Sequence, residues 1–169
     1  GGDDDEIKIQ KRFSGDLSAS IKNKDWIFKP QIGFSYEFDY KSIHGGLTVD
    51  RSFLDENLTL SVGYHYYHDS TLPYNVTTQN WENWTAKKAH NFQTSLSQVL
   101  SPKDVVLVGY SYIMQTGALE GGVNSVSVGG TRRNEVLPNL RNRHAATIKF
   151  IHAFTDQFAS HLNYRFYLD

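Results

Sequence analysis

From Ile7 onward the chain alternates apolar and polar residues with a period of two. Ile7, Ile9, Phe13, Leu17, Ala19 and Ile21 fall on one side of an extended chain. Lys8, Gln10, Arg12, Ser14, Asp16, Ser18, Ser20 and Lys22 fall on the other. That is the pattern of a strand with one polar face. After a tight turn at Asn23-Lys24, the next strand places Trp26, Phe28, Pro30, Ile32, Phe34, Tyr36, Phe38 and Tyr40 on one face. Lys29, Gln31, Gly33, Ser35, Glu37, Asp39 and Lys41 take the other. Pro30 lacks a ladder donor, so a bulge or strand end is expected near it.

Six further strands follow the same rule. They are marked by Ile43, Leu47, Val49 and Phe53; by Leu58 through Tyr66; by Phe92, Leu96 and Leu100, beginning near Thr85; by Val106 through Met114; by Ala146 through Phe154; and by Phe158 through Leu168. No segment has a convincing helical period. The connections are expected at 23–24, 41–46, 54–57, 69–84, 101–104, 116–142 and 155–157, and short ones alternate with longer ones. In an up-and-down antiparallel sheet, successive connections lie at opposite ends. The sorting therefore puts short turns at one end and long loops at the other, as in outer-membrane barrels.

The aromatic residues sharpen this expectation. Trp26, Phe28, Phe53, Phe154 and Phe158 lie beside short turns, and Tyr64, Tyr66, Tyr110, Tyr112, Tyr164 and Phe166 lie toward the long loops. Between them come Ile32, Leu60, Val62, Val108, Ile148 and Leu162. This pattern reads as an apolar, lipid-facing band between two aromatic girdles. From Phe158 to Phe166 the strand rises roughly 20 Å at a tilt of ~40°, close to the ~25 Å such a band needs. The opposite face carries Arg12, Asp16, Lys29, Glu37, Asp39, His65, Lys149, His161 and Arg165 among many Ser and Gly residues. These are the expected lumen-lining residues.

Composition then excludes several classes. Seventeen Lys+Arg against 18 Asp+Glu give a net charge of −1, which argues against a nucleic-acid partner. Zero Cys removes disulfides, thiolate metal sites and cysteine nucleophiles. The mean hydropathy of −0.48 excludes a spanning helix but not a spanning barrel, whose lipid face is every second residue. The 169 residues are one domain's worth of chain. No basic and apolar leader opens them, which fits a cytosolic protein or a mature or trimmed chain.

The segment Glu135-Val-Leu-Pro-Asn-Leu-Arg141-Asn-Arg143, the alternating hairpin after it, and Tyr164-Arg-Phe-Tyr-Leu-Asp169 resemble a bacterial outer-membrane β-barrel family known as domain of unknown function 3570. The acidic run before Ile7-Lys8-Ile9 also looks like that family's early strand. The resemblance covers most of the chain. It implies a Gram-negative outer-membrane location. It also implies an antiparallel transmembrane barrel of which residues 1–169, about eight strands, form part, with further strands at one or both ends. It transfers no activity to any residue.

Candidate chemistry is sparse. Seven His residues, at 44, 65, 68, 90, 144, 152 and 161, show no metal-ligand spacing such as HExxH and read as scattered interfacial and lumen histidines. Asp3-Asp4-Asp5 reads as a solvated run rather than a cation site. Arg132, Arg133, Arg141 and Arg143 could attract anions or lipopolysaccharide phosphates, or pair internally with Glu120, Glu135 or lumen carboxylates. Gly121-Gly122 and Gly129-Gly130 lack the strand–helix context of a phosphate loop. Asn57-Leu-Thr59, Asn75-Val-Thr77 and Asn83-Trp-Thr85 match the glycosylation pattern, which a bacterial outer membrane would not use. Trp81 and Trp84 either stack on a sugar or partner, or fold onto the rim of their own loop.

The expectation is thus an outer-membrane barrel acting as pore, scaffold or surface-interaction protein, without cofactor, metal or catalytic set. Membrane lipid and lipopolysaccharide are the expected partners, with a protein partner at the long loops. A soluble lipocalin-like carrier of an apolar ligand and a barrel-rim hydrolase are the alternatives.

Overall fold

The computed structural model describes residues 11–75, 78–119, 125–134 and 137–169. Asp3-Asp4-Asp5, the strand start at Ile7 and Ile9, Glu120, Gly121-Gly122, Glu135 and part of the Asn75-Val-Thr77 pattern lie outside them. Among the described residues there is no helix. The strands are β1 (Phe13–Ser18), β2 (Ile21–Asn23), β3 (Trp26–Tyr36), β4 (Tyr40–Phe53), β5 (Leu58–Thr71), β6 (Tyr74–Asn75), β7 (Asn80–Trp81), β8 (Thr85–Ser101), β9 (Asp104–Gly117), β10 (Ser125–Val128), β11 (Thr131–Asn134), β12 (Leu140–Thr155) and β13 (Phe158–Leu168).

The main sheet is antiparallel and up-and-down, in the order β1-β3-β4-β5-β8-β9-β12-β13, with β2 continuing the line of β1 along β3. Two small hairpins, β6–β7 and β10–β11, sit inside the two longest connections. Among the described residues the sheet is not closed into a barrel: β1 and β13 are its edges and do not pair with one another. Strand β1 has six residues and β13 has eleven.

The break between β1 and β2 is the answer to Pro30. Proline sits inside β3, and the gap falls on the facing strand at Ala19–Ser20. Pro30 still accepts a bond from Ala19 N at 3.2 Å, but it has no N–H to return. The register is undisturbed, since Ser18 faces Gln31 and Ile21 faces Phe28 on either side of the gap.

A second correction concerns residues 37–46. The chain turns at 37–39, where Glu37 N bonds Tyr40 O at 2.7 Å, and 41–46 are strand rather than loop. One connection at the long-loop end is therefore tight. Glu37 and Asp39 belong to that turn instead of β3, and Tyr40 joins the polar face through β4. Gly45 and Gly46 read as loop in sequence, but they are ladder positions. A Cβ on Gly46 would overlap the His65 ring.

The sheet curls with its polar face inward. Lys29 on β3 and Arg165 on β13 line one cavity of about 480 Å³, although six inter-strand steps separate them along the sheet. A flat sheet would hold those strands roughly 29 Å apart. The convex face is apolar and uncovered. Phe34, Ile43, Val62, Phe92, Val108, Ile148 and Leu162 are all exposed, the last at 70%. The only buried hydrophobic side chains among the described residues are Ala89 and Ala145. A conventional apolar core is absent among those residues, so folding in water would leave the usual hydrophobic driving force largely unused.

Candidate functional site

The concave face is built by alternation. Even positions of β1 and β4 and odd positions of β3, β5, β8, β9, β12 and β13 point into it, and the register aligns them into rows across the sheet. One such row is Arg165–Thr147–Gly109–Ser95–Ser61–Asp50. Its middle residues are small, so the cavity has a floor of hydroxyls and bare backbone with longer side chains at the ends.

On the β1–β8 side, charge is matched. Lys29 Nζ lies 2.5 Å from Asp50, which also accepts from Ser61 Oγ at 2.6 Å. Asp69 accepts from Ser42 Oγ at 2.7 Å and faces Lys87 Nζ at 3.4 Å. His44 Nε2 is 2.9 Å from Asp16 and its ring stacks on Tyr67 at 5.3 Å. Gly33 lies between Asp16 and His44 in the register, and a Cβ there would overlap both side chains. Arg12 Nε donates to Ser35 Oγ at 3.1 Å and pairs with Glu37 at 3.3 Å. At the loop end of β12, Arg141 hydrogen-bonds the Asp169 carboxylate with two nitrogens, and Arg143 joins it at 3.3 Å. The hydrogen bonds from Arg141, helped by the Arg143 charge, hold the Asp169 carboxyl below its ordinary range.

On β12 and β13, farther from the loops, charge is not matched. Lys149, His161 and Arg165 share the concave face and form no ion pair among the described residues. Arg165 stacks its guanidinium on Tyr167 at 4.7 Å. Asn91 Oδ1, at the cavity wall, is buried without a hydrogen-bond partner.

Sequence reasoning named Arg12, Asp16, Lys29, His65, Lys149, His161 and Arg165 for this face, and the register sets each of them there or, for Arg12, beside it. It missed Asp50, Asp69, His44 and Lys87, which complete the ion pairs. Alternation from Val49 already assigns Asp50 to the polar side. His44, Asp69 and Lys87 were hidden because 41–46 and 69–84 were read as loops and the start of the strand after them was left loose.

The convex face carries two aromatic groups. Near the turns, Trp26 stacks on Phe28 at 6.3 Å, and Arg51 lies 4.8 Å over Trp26 and 4.7 Å over Phe53. Phe154 stacks on Phe158 at 5.4 Å. Toward the loops, Tyr64 and Tyr110 share hydrogen bonds of 2.8 and 2.7 Å with His90 and His144. Tyr66 packs on His90, and Tyr112 donates to Asn142 at 2.9 Å. Tyr164 lies opposite Ile148 on the same face. Because these rings are on the convex side, a lipocalin-like interior lined by aromatics is not what the chain forms.

The loop residues separate. Trp81 packs edge-on against Phe38 and Tyr74, at 5.3 and 5.2 Å, and Trp84 lies under Lys41 Nζ at 4.2 Å, so both fold onto their own rim. Arg132 and Arg133 lie on the β10–β11 hairpin, facing Ser127 and Val126 across it. Arg141 and Arg143 belong to β12 and pair with Asp169. No group of three or more metal-binding side chains converges among the described residues.

No curated protein and no solved structure matches the chain. Residues 4–169 do match the family model described as Protein of unknown function (DUF3570), and the chain belongs to that family.

Proposed function

We propose that the chain forms the wall of a bacterial outer-membrane β-barrel that acts as a passive pore, its polar concave face lining water and its convex face meeting lipid. The observation that carries this reading is the uncovered apolar convex face, continuous from Phe34 and Ile43 through Val62 and Val108 to Ile148 and Leu162. Water would not tolerate a patch of that extent on a monomer, whereas lipid hydrocarbon covers it without cost. The aromatic groups at its two margins suit the interfaces on either side of a hydrocarbon layer. Lipid and lipopolysaccharide are then the first partners, with Arg133 exposed on the β10–β11 hairpin.

The test is extraction. The protein is expected to require detergent and to show heat-modifiable mobility on a gel. A freely soluble monomer in plain buffer would refute the membrane reading. Current across a planar bilayer then separates a pore from a closed scaffold.

A further inference from the structure

We infer that the concave face holds a binding site for a small phosphate- or carboxylate-bearing anion at Lys149, Asn163 and Arg165. The inference rests on the reading of that face as water-lining. It does not require that current flows.

Charge is unbalanced here on a face that is otherwise balanced. Lys29, Lys87 and Arg12 each meet a carboxylate within 3.4 Å on the same face. Lys149 and Arg165 meet none among the described residues. In the register Lys149 faces Asn163, and Arg165 faces Thr147. Lys149 is therefore the diagonal neighbour of both Arg165 and His161, at a spacing of ~7–8 Å between backbones. Like charges so placed repel, and a bound anion relieves them. Arg165 is oriented by its stacking on Tyr167, which reduces the freedom lost on binding. It also lines the 480 Å³ cavity together with Thr147 and Ser111, whose hydroxyls can donate to further anion oxygens.

Inorganic phosphate, titrated calorimetrically into the detergent-solubilised full chain, tests the site. Saturable binding is expected. It should weaken at least tenfold in Lys149→Gln/Arg165→Gln and stay unchanged in Lys24→Gln, a turn residue. Neither replaced cation is in an ion pair among the described residues, so the double variant should fold, which heat-modifiable mobility checks. Asn163→Asp offers an independent arm: it places a carboxylate between the two cations and should abolish phosphate binding by internal neutralisation. No saturable binding in the unaltered chain, or equal binding in the double variant, overturns the inference. Binding without bilayer current keeps the site and discards the pore. Current without binding does the reverse.

Discussion

The two halves of the concave face use the same residue types differently. From β1 to β8, each acid on the face has a basic or hydroxyl partner, and two of the acids, Asp50 and Asp69, are buried. On β12 and β13, below the loop-end group of Arg141, Arg143 and Asp169, Lys149, His161 and Arg165 stand beside Asn163 and Thr147 with no acid among them. Matched charges fix side chains and hold strands in register without an apolar core. Unmatched charges leave the field available to something else. The contrast marks one half as structural support and the other as the working surface.

The largest expected effect is the one that both halves should share. Val62 on the supporting side and Ile148 on the working side both point to the convex face. Arginine at either position should cost about 2–4 kcal/mol in lipid. Equilibrium unfolding in vesicles would check it, and tolerance at one site only would show that the halves differ outside as well as inside. Ser95→Arg, on the concave floor, should be tolerated.

Next comes a substitution that should discriminate between the halves. Asp50→Ala strips the partner from Lys29 and Ser61 and should cost about 2–3 kcal/mol, because the carboxylate is buried while Lys29 remains half-exposed. Lys149→Gln should change stability by no more than about 0.5 kcal/mol, and in the favourable direction. Equal losses would erase the distinction. A smaller step tests the glycine between Asp16 and His44: Gly33→Ala should displace that pair and cost about 1 kcal/mol.

The smallest effect is a pH dependence. The Asp169 carboxyl is depressed by Arg141 and Arg143, so its contribution is fully present above the ordinary carboxylate range. It is lost as pH falls through the depressed value. The stability difference between the unaltered chain and Asp169→Asn should therefore vanish in acid. A difference that persists there would assign it to something other than ionisation.

The sheet was legible because alternation is a strong signal when one face is polar. The strand phases read from Trp26–Tyr36, Leu58–Tyr66 and Phe158–Leu168 agree with the register. The turn at 37–39 was not legible. Phe38 and Tyr40 continue the alternation through it, and Gly45-Gly46 imitates a loop while serving to admit His65. Whether the sheet closes was not legible, because loop sorting and aromatic placement do not bear on whether β1 can pair with β13. The concave ion pairs were half legible, since periodicity assigns a face but not a partner several strands away. The absence of any acid near Lys149 emerges only once the register is known.

The strand order has a consequence for how the chain assembles. Every strand of the main sheet joins the one before it in sequence, so the sheet can grow by adding hairpins at a single advancing edge. Its contact order is low for an all-β structure, and most steps close loops of only a few residues. The exceptions are the connection from Thr71 to Thr85 and the longer one from Gly117 to Leu140. Closing the longer one costs about 2 kcal/mol more in chain entropy than closing a two-residue turn. The β10–β11 hairpin lies within that stretch, and by forming first it shortens the span left to close. Cutting the connection back to a four-residue turn should therefore speed the joining of β12 to β9, making that single step the one that sets the pace of folding.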